Sequence, residues 1–315
     1  MNNFQNTLTI NTLDRLLAFF QATSSRPSIG DTLYQGTNMP QVVFVSSDNG
    51  SNSNDGRDPR TPLATLEEAL DHVQANRGDV IFIMPGHTEA WTADVVIDVA
   101  GITIIGLGQG VDRPTFTIGD AAGESLDIAA ASVILENLVF VCGVDQQTWM
   151  IGIRATDCSI RNCEFREGTA LQPLIMLDIG AGAAANAADR ASVINCVFKS
   201  PTAGDGDSAI KLSAISNAVR ISGCNIWGDY DDACIHNPIG FVCTDLEISD
   251  CILSNVLTGQ HAIELVSACT GNLIRNLYHS DLTQATASDP GSCFSYECYH
   301  DDVVDTSAII SPAVT

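Results

Sequence analysis

Positive charge is what this sequence has least of. Its 315 residues carry 14 Lys and Arg against 38 Asp and Glu, a formal charge of −24. Nucleic-acid grooves and anionic membrane surfaces are held by clustered Lys and Arg, and here those residues are few and scattered, so neither partner is expected. The acidity reads mostly as a solubility device. Aromatic residues make up 6%, which argues against a long sugar-stacking groove. No apolar run is long enough to span a bilayer, so membrane insertion is not expected. A convincing secretory leader is missing too: Arg15 is the only early base, Asp14 sits beside it, and Leu16 to Phe20 is short. With Met1 as the native start, the expectation is synthesis in a cytosol without export by the usual route.

A disulfide framework is also not the natural reading. The 11 cysteines are odd in number and most fall inside strand patterns. Cys158/Cys163 and Cys293/Cys298 have C-x4-C spacing, but neither has a second pair or a spaced His to complete a zinc site. No metal site is expected from them.

What the chain does contain is one short pattern written six times. It reads Ser192-Val193-Ile194-Asn195-Cys196-Val197-Phe198 in its clearest copy. Aligned on one column, the copies place Leu138, Cys163, Cys196, Cys224, Cys251 and Leu277 at steps of 25, 33, 28, 27 and 26 residues. A repeat of roughly 20–50 residues carrying strand, turn residue and strand marks a solenoid. A second strand recurs once per coil, in Asp207–Leu212, Asp232–His236 and Gln260–Leu265, with earlier versions at Met150–Ile153 and Leu174–Leu177. Four cysteines in one column predict a ladder of buried thiols. Neighbouring coils lie about 4.8 Å apart, so geometry alone leaves bridging open. Asn137, Asn162, Gly223 and Asp250 sit between the strand halves, where a corner needs a left-handed residue. The longer step of 33 holds the small-residue excursion Gly180 to Ala188, and Gln284 to Gly291 is a second loop of the kind that carries contacts.

Residues 1–40 read as an arm. Leu13, Leu16, Leu17 and Phe20 fall at i, i+3, i+4 and i+7 of a short helix capped by Asn11 or Thr12. That stripe, with Phe4, Leu8 and Ile10, needs a surface to lie on, either this chain's own solenoid or a partner. From residue 41 the pattern changes to a strand, a polar loop and a helix expected over about 64–76, with a capping box at Thr65-Leu66-Glu67-Glu68 and an apolar face of Leu66, Ala69, Leu70 and Val73. The solenoid is expected over 41–300 and a tail or cap over 301–315, where Ala308-Ile309-Ile310 is apolar.

The order Asp48…Gly50…Asp55-Gly56, Pro62-Leu63-Ala64-Thr65-Leu66, Gly78-Asp79-Val80-Ile81 and Pro85-Gly86 resembles the opening segment of pectate-lyase-like right-handed parallel β-helices. So do Val95–Asp98 and Gly101–Gly108, which are similar to a first full coil. The resemblance implies an all-β, single-stranded parallel β-helix whose first coil is plugged by the helix. It implies no particular activity, since many functions ride on this solenoid.

For chemistry, the alternative catalytic residues are Asp229, Asp231, Asp232 and Asp207. Paired carboxylates can divide into acid and base for glycoside hydrolysis, and the segment faintly resembles the Asp-Asp-Cys stretch of β-helical polygalacturonases, interrupted by Ala233. On a strand, Asp231 and Asp232 would point to opposite faces. Asp205 and Asp207 lie one coil before Asp231. A lyase would need calcium on carboxylates and a base, for which Lys211 and Arg220 are the nearest candidates; anionic polyuronate would be repelled without that calcium, so no cofactor is expected otherwise. His87, Trp91, Trp227, Tyr230 and His236 are candidates for a sugar face.

The missing leader, the amphipathic arm, the incomplete catalytic set and a resemblance to phage β-helix proteins together point first to a structural protein of a tailed-phage virion. That protein would be a rigid capsid decoration or spike, a homotrimer anchored to the major capsid protein or another virion protein through the arm. The alternatives are a tailspike depolymerase acting as glycosidase or lyase on a host surface polysaccharide, and a secreted polysaccharide enzyme or adhesin.

Overall fold

The computed structural model describes residues 39–119, 125–200, 206–280, 288–301 and 309–310. Through them the chain winds as a right-handed parallel β-helix. Sheets A and B have ten strands each and sheet C has eight. From Val95 onward each coil lays down one strand of C, one of A and one of B. The expected arm, with Phe4, Leu8, Ile10, Leu13, Leu16, Leu17 and Phe20, lies outside the described residues, as does Asp205.

Every strand is short, and alternate side chains enter one shared core. On sheet A the inward column is Ile104, Leu135, Ile160, Val193, Ile221, Ile248 and Leu273, stacked in register and buried. On sheet B it is Phe116, Phe140, Phe165 and Phe198, with successive ring centroids 6.0, 5.4 and 4.4 Å apart. Stacked rings of one kind fill equivalent sites without the voids that mixed sizes would leave.

The corner between sheets A and B is a single left-handed residue per coil. Asn137, Asn162, Asn195, Gly223, Asp250, Arg275 and Glu297 form this column, with φ between 51° and 64°. Each of the first six donates its N–H to a carbonyl of the following coil, as Asn162 does to Ile194 at 2.9 Å. At Asn137 the side chain also ties coils together: Nδ2 donates to Gly106 O at 2.8 Å and Gly108 O at 3.1 Å. Arg275, an unfavourable type for this conformation, is held by a two-pronged pair with Asp250 at 2.7 Å. Asp157 and Arg190 repeat that arrangement at the corner between sheets C and A.

Immediately after the A–B corner runs the cysteine column. Leu138, Cys163, Cys196, Cys224 and Cys251 stack as expected, and all 11 cysteines are free thiols. The expected last member, Leu277, is displaced by one residue. Ile252 pairs with Leu277, which puts Asn276 on Cys251, and Cys298 follows. Asn276 is fully buried there because its amide is satisfied: Oδ1 accepts from Cys251 N at 2.9 Å and Nδ2 donates to Ile248 O at 2.8 Å.

The capping helix spans Leu66–Asp71, shorter than the expected 64–76. Thr65 caps it, its hydroxyl accepting from Glu68 N at 3.3 Å, and Leu66, Ala69 and Leu70 are buried. The chain leaves the helix early because the buried Asp79 carboxylate takes over its donors. Asp79 accepts from Gln74 N at 2.8 Å, Gln41 N at 2.7 Å and the Arg77 guanidinium. At the other end, Ile309–Ile310 pairs antiparallel with Cys298 and Tyr299 of sheet B.

Candidate active site

The outer face of sheet C carries an unusual row. In register, one residue per coil, stand Asp127, Gly152, Asp178, Lys211, His236, Glu264 and Asp289. An outward position on a regular sheet is normally filled by any soluble side chain, so a straight row of six ionisable groups broken by one glycine is a feature of this face. Parallel strands set its spacing at about 4.8 Å.

The row is closed at its start and open further on. Asp127 and Asp178 are buried, and Lys211, His236 and Glu264 are partly exposed. Arg154 Nη1 meets Asp127 Oδ2 at 2.5 Å, while its Nε donates to Ala181 O at 2.7 Å. Gly152 is required between the two aspartates: an added Cβ would stand 2.7 Å from Asp127 Oδ1 and 2.8 Å from Ala181 Cβ. The excursion beginning at Gly180 lies over Asp178, and Ala181 N donates to Asp178 Oδ1 at 3.2 Å. Burial pushes the Asp178 carboxyl up to about 6.

At the open end four side chains converge. Lys211 Nζ stands 3.3 Å from Asp207 Oδ2 and 3.7 Å from Asp232 Oδ2. His236 Nδ1 stands 2.8 Å from the same Asp232 oxygen. The repeat explains the arrangement: Asp207 and Asp232 are equivalent residues of successive coils, joined by Asp232 N donating to Asp207 O at 3.0 Å. Lys211 and His236 then follow each of them at i+4 in register. Because both carboxylates touch one ammonium, their oxygens lie at most about 7 Å apart, which excludes only the widest glycosidase carboxylate pairs. The His236 ring, first, and Lys211 hold the Asp232 carboxyl below the usual carboxylate range.

The structure sorts the sequence candidates accordingly. Asp207 and Asp232 come together. Asp231 and Asp232 lie in a bend ahead of the strand Ala233–Asn237, so the strand alternation expected of them does not apply, and Asp231 pairs through its N–H with Gly206 O at 2.8 Å. Asp229 is buried, its carboxyl is pushed up by desolvation, and no polar contact joins it to Lys211 or His236 among the described residues. Arg220 is on sheet A, a different face from Lys211. The sugar-face set is dispersed: His87, Trp91 and Tyr230 are buried, and Trp227 is exposed on sheet B. His236 belongs to the site through Asp232. Asp127, Asp178, Glu264 and Asp289 are the row members that sequence reading missed. The signal was their recurrence at one register position of the sheet C strand, Asp127 and Asp178 two coils apart with Gly152 between them. Among the described residues no group of three His, Cys, Asp or Glu is placed to hold a metal ion, and no helix is long and apolar enough to cross a membrane.

No family model and no curated protein matches the sequence. Among solved structures, a rhamnogalacturonan lyase is similar with a TM-score of 0.53 at 14% identity, covering 82% of this chain and 74% of that one. Pectate lyase Pel9A is similar with a TM-score of 0.51 at 13% identity, covering 87% and 80%. At these identities the likeness shows the fold: a pectate-lyase-like parallel β-helix.

Proposed function

We propose that the chain is a polysaccharide depolymerase, a glycoside hydrolase whose reacting groups are Asp207, Asp232, His236 and Lys211 on sheet C. The observation that carries this reading is the meeting of two carboxylates from successive coils on Lys211, with an imidazole against one of them. Asp232, kept ionised, stands 2.8 Å from His236 Nδ1 as an ion-pair partner of the protonated ring, outside hydrogen-bond geometry. Nε2 is the nitrogen assigned to exchange a proton with substrate. His236 gives that proton to the leaving glycosidic oxygen as the bond to the anomeric carbon breaks. Water adds at that carbon and passes its proton to Asp207. The two carboxylates face the positive charge that grows on the sugar ring, and Lys211 keeps them apart and in place. A row this rich in carboxylates suits an uncharged glycosidic link and repels a uronate at the point of cleavage.

The test is a panel of neutral and mixed bacterial surface polysaccharides, followed by reducing-end release and by absorbance of unsaturated uronate. New reducing ends without that absorbance are expected. Asp232→Asn and His236→Ala should each lower the rate by about 10²–10⁴-fold. Full activity in either variant would overturn the assignment.

A second reading rests on the arm of the sequence: a rigid virion rod, trimeric and anchored through Phe4, Leu8, Ile10, Leu13, Leu16, Leu17 and Phe20. Mass spectrometry of purified particles separates the two. Hundreds of copies per particle, lost on deleting residues 1–25, support the decoration, whereas a handful fits a tailspike bearing the enzyme.

A further inference from the structure

Sheet B carries a second outward row, and its chemistry is opposite to that of sheet C. In register stand Arg166, Lys199, Trp227, Ser254 and His279, on five successive strands. Beside them a shallow concavity of about 390 Å³ is floored by Val197, Asn225 and Ile252. Trp227 is 44% exposed, too much for a core residue and at a position where the pattern demands nothing apolar.

The charge here runs against the molecule. Of 14 Lys and Arg in a chain of −24, three converge on one buried carboxylate. Glu164 takes Arg166 Nε and Lys199 Nζ, each at 2.8 Å, and Arg113 Nη1 at 3.3 Å. One acid against three bases within this cluster, with Glu167 beside Arg166 as a second acid, still leaves one more cation than anion. Arg113 is spent inside, donating to Leu138 O and Asn162 O. Arg166 and Lys199 keep 49% and 50% of their side chains in solvent. Glu164 therefore fixes the stems of two cations whose outer faces remain open, directly in line with an exposed indole.

We propose that this row is a binding strip for an acidic oligosaccharide, separate from the sheet C site. A straight row along the rod axis, repeating at the strand spacing, presents one side chain after another to a linear polymer. Trp227 offers a flat apolar face to a sugar ring, and Arg166 and Lys199 meet carboxylates. Ser254 and His279 supply hydrogen-bonding groups beyond the ring. The strip would hold an acidic glycan on a body that otherwise repels it.

The test is calorimetric titration with hexasaccharides of alginate, polygalacturonate and hyaluronate, and with maltohexaose as the neutral control. The His236→Ala protein is used so that no cleavage intervenes. At least one acidic hexamer should bind, more weakly as salt rises, with maltohexaose at least tenfold weaker. Trp227→Ala should lower affinity at least tenfold with circular dichroism and melting temperature unchanged. Lys199→Met, which also takes one of three partners from Glu164, should lower affinity at least tenfold with the folded circular dichroism signature kept and a lowered melting temperature. Binding that survives both substitutions, equal binding of maltohexaose, or no binding of any acidic hexamer would each overturn the strip. None of these results bears on the cleavage assigned to sheet C.

Discussion

Asp178 shows how one side chain is made unlike its neighbours. It is raised because the excursion after it removes water, so it binds its proton more tightly folded than unfolded, and stability falls as pH rises between about 4 and 6. Asp178→Asn keeps an acceptor for Ala181 N and removes the buried charge. The variant should melt higher than the wild type at pH 8, and the gain should shrink at pH 4.5; a pH-independent difference would contradict the burial argument. Asn276 is the converse case, a polar group placed in an apolar column and satisfied there. Asn276→Leu orphans Cys251 N and Ile248 O, and should cost about 2–4 kcal/mol in denaturant unfolding. A cost under 1 kcal/mol would show the column indifferent to it. The cysteine column was legible in the sequence because the period repeats. The slip at Asn276 was not, because Leu277 fits the apolar pattern better and only the hydrogen bonds of a folded coil favour the asparagine.

At the scale of the element, the fold depends on corners more than on strand propensity. Strands of three to five residues with inward Ile, Val and Phe are interchangeable. What sets their register is a left-handed residue at the same place in each coil. Asn137→Ala should cost about 2–3 kcal/mol, combining the left-handed penalty with lost bonds to Gly106 O and Gly108 O. Asn137→Gly should recover the conformational part alone, and equal losses in the two would contradict this division. Asn, Gly and Asp at this corner could be read from sequence, since those residues tolerate the conformation. Arg275 and Glu297 could not, as neither type signals it and Arg275 owes its place to the ion pair with Asp250. The helix was found by its cap and apolar face, and its end was misjudged because Asp79, eight residues past Asp71, captures its exit.

On the scale of the whole molecule, the rod separates its charge by face. Sheet C collects carboxylates around Lys211, and sheet B collects cations around Glu164. Glu164 is lowered to about 2 by Arg166 above all, with Lys199 adding to it, so its contribution to stability is complete above an ordinary carboxyl pKa of 4.5 and is lost as pH falls toward 2. Glu164→Gln should therefore destabilise by about 2–3 kcal/mol at neutral pH and flatten the acid limb of the stability curve. The repeat made the solenoid readable, but neither outer row was: a row exists only when residues 25 to 35 apart stack, and a one-residue change of register would dissolve it.

The central claim is that His236, 2.8 Å from Asp232, moves the proton in glycan cleavage. It is tested most directly by chemical rescue: the rate of reducing-end release by wild type, His236→Ala, and His236→Ala with added imidazole. A large loss in the variant, partly restored by imidazole in a concentration-dependent way, is the predicted result. A variant as active as the wild type, or one whose lost activity imidazole leaves unchanged while Asp232→Asn stays active, would contradict it.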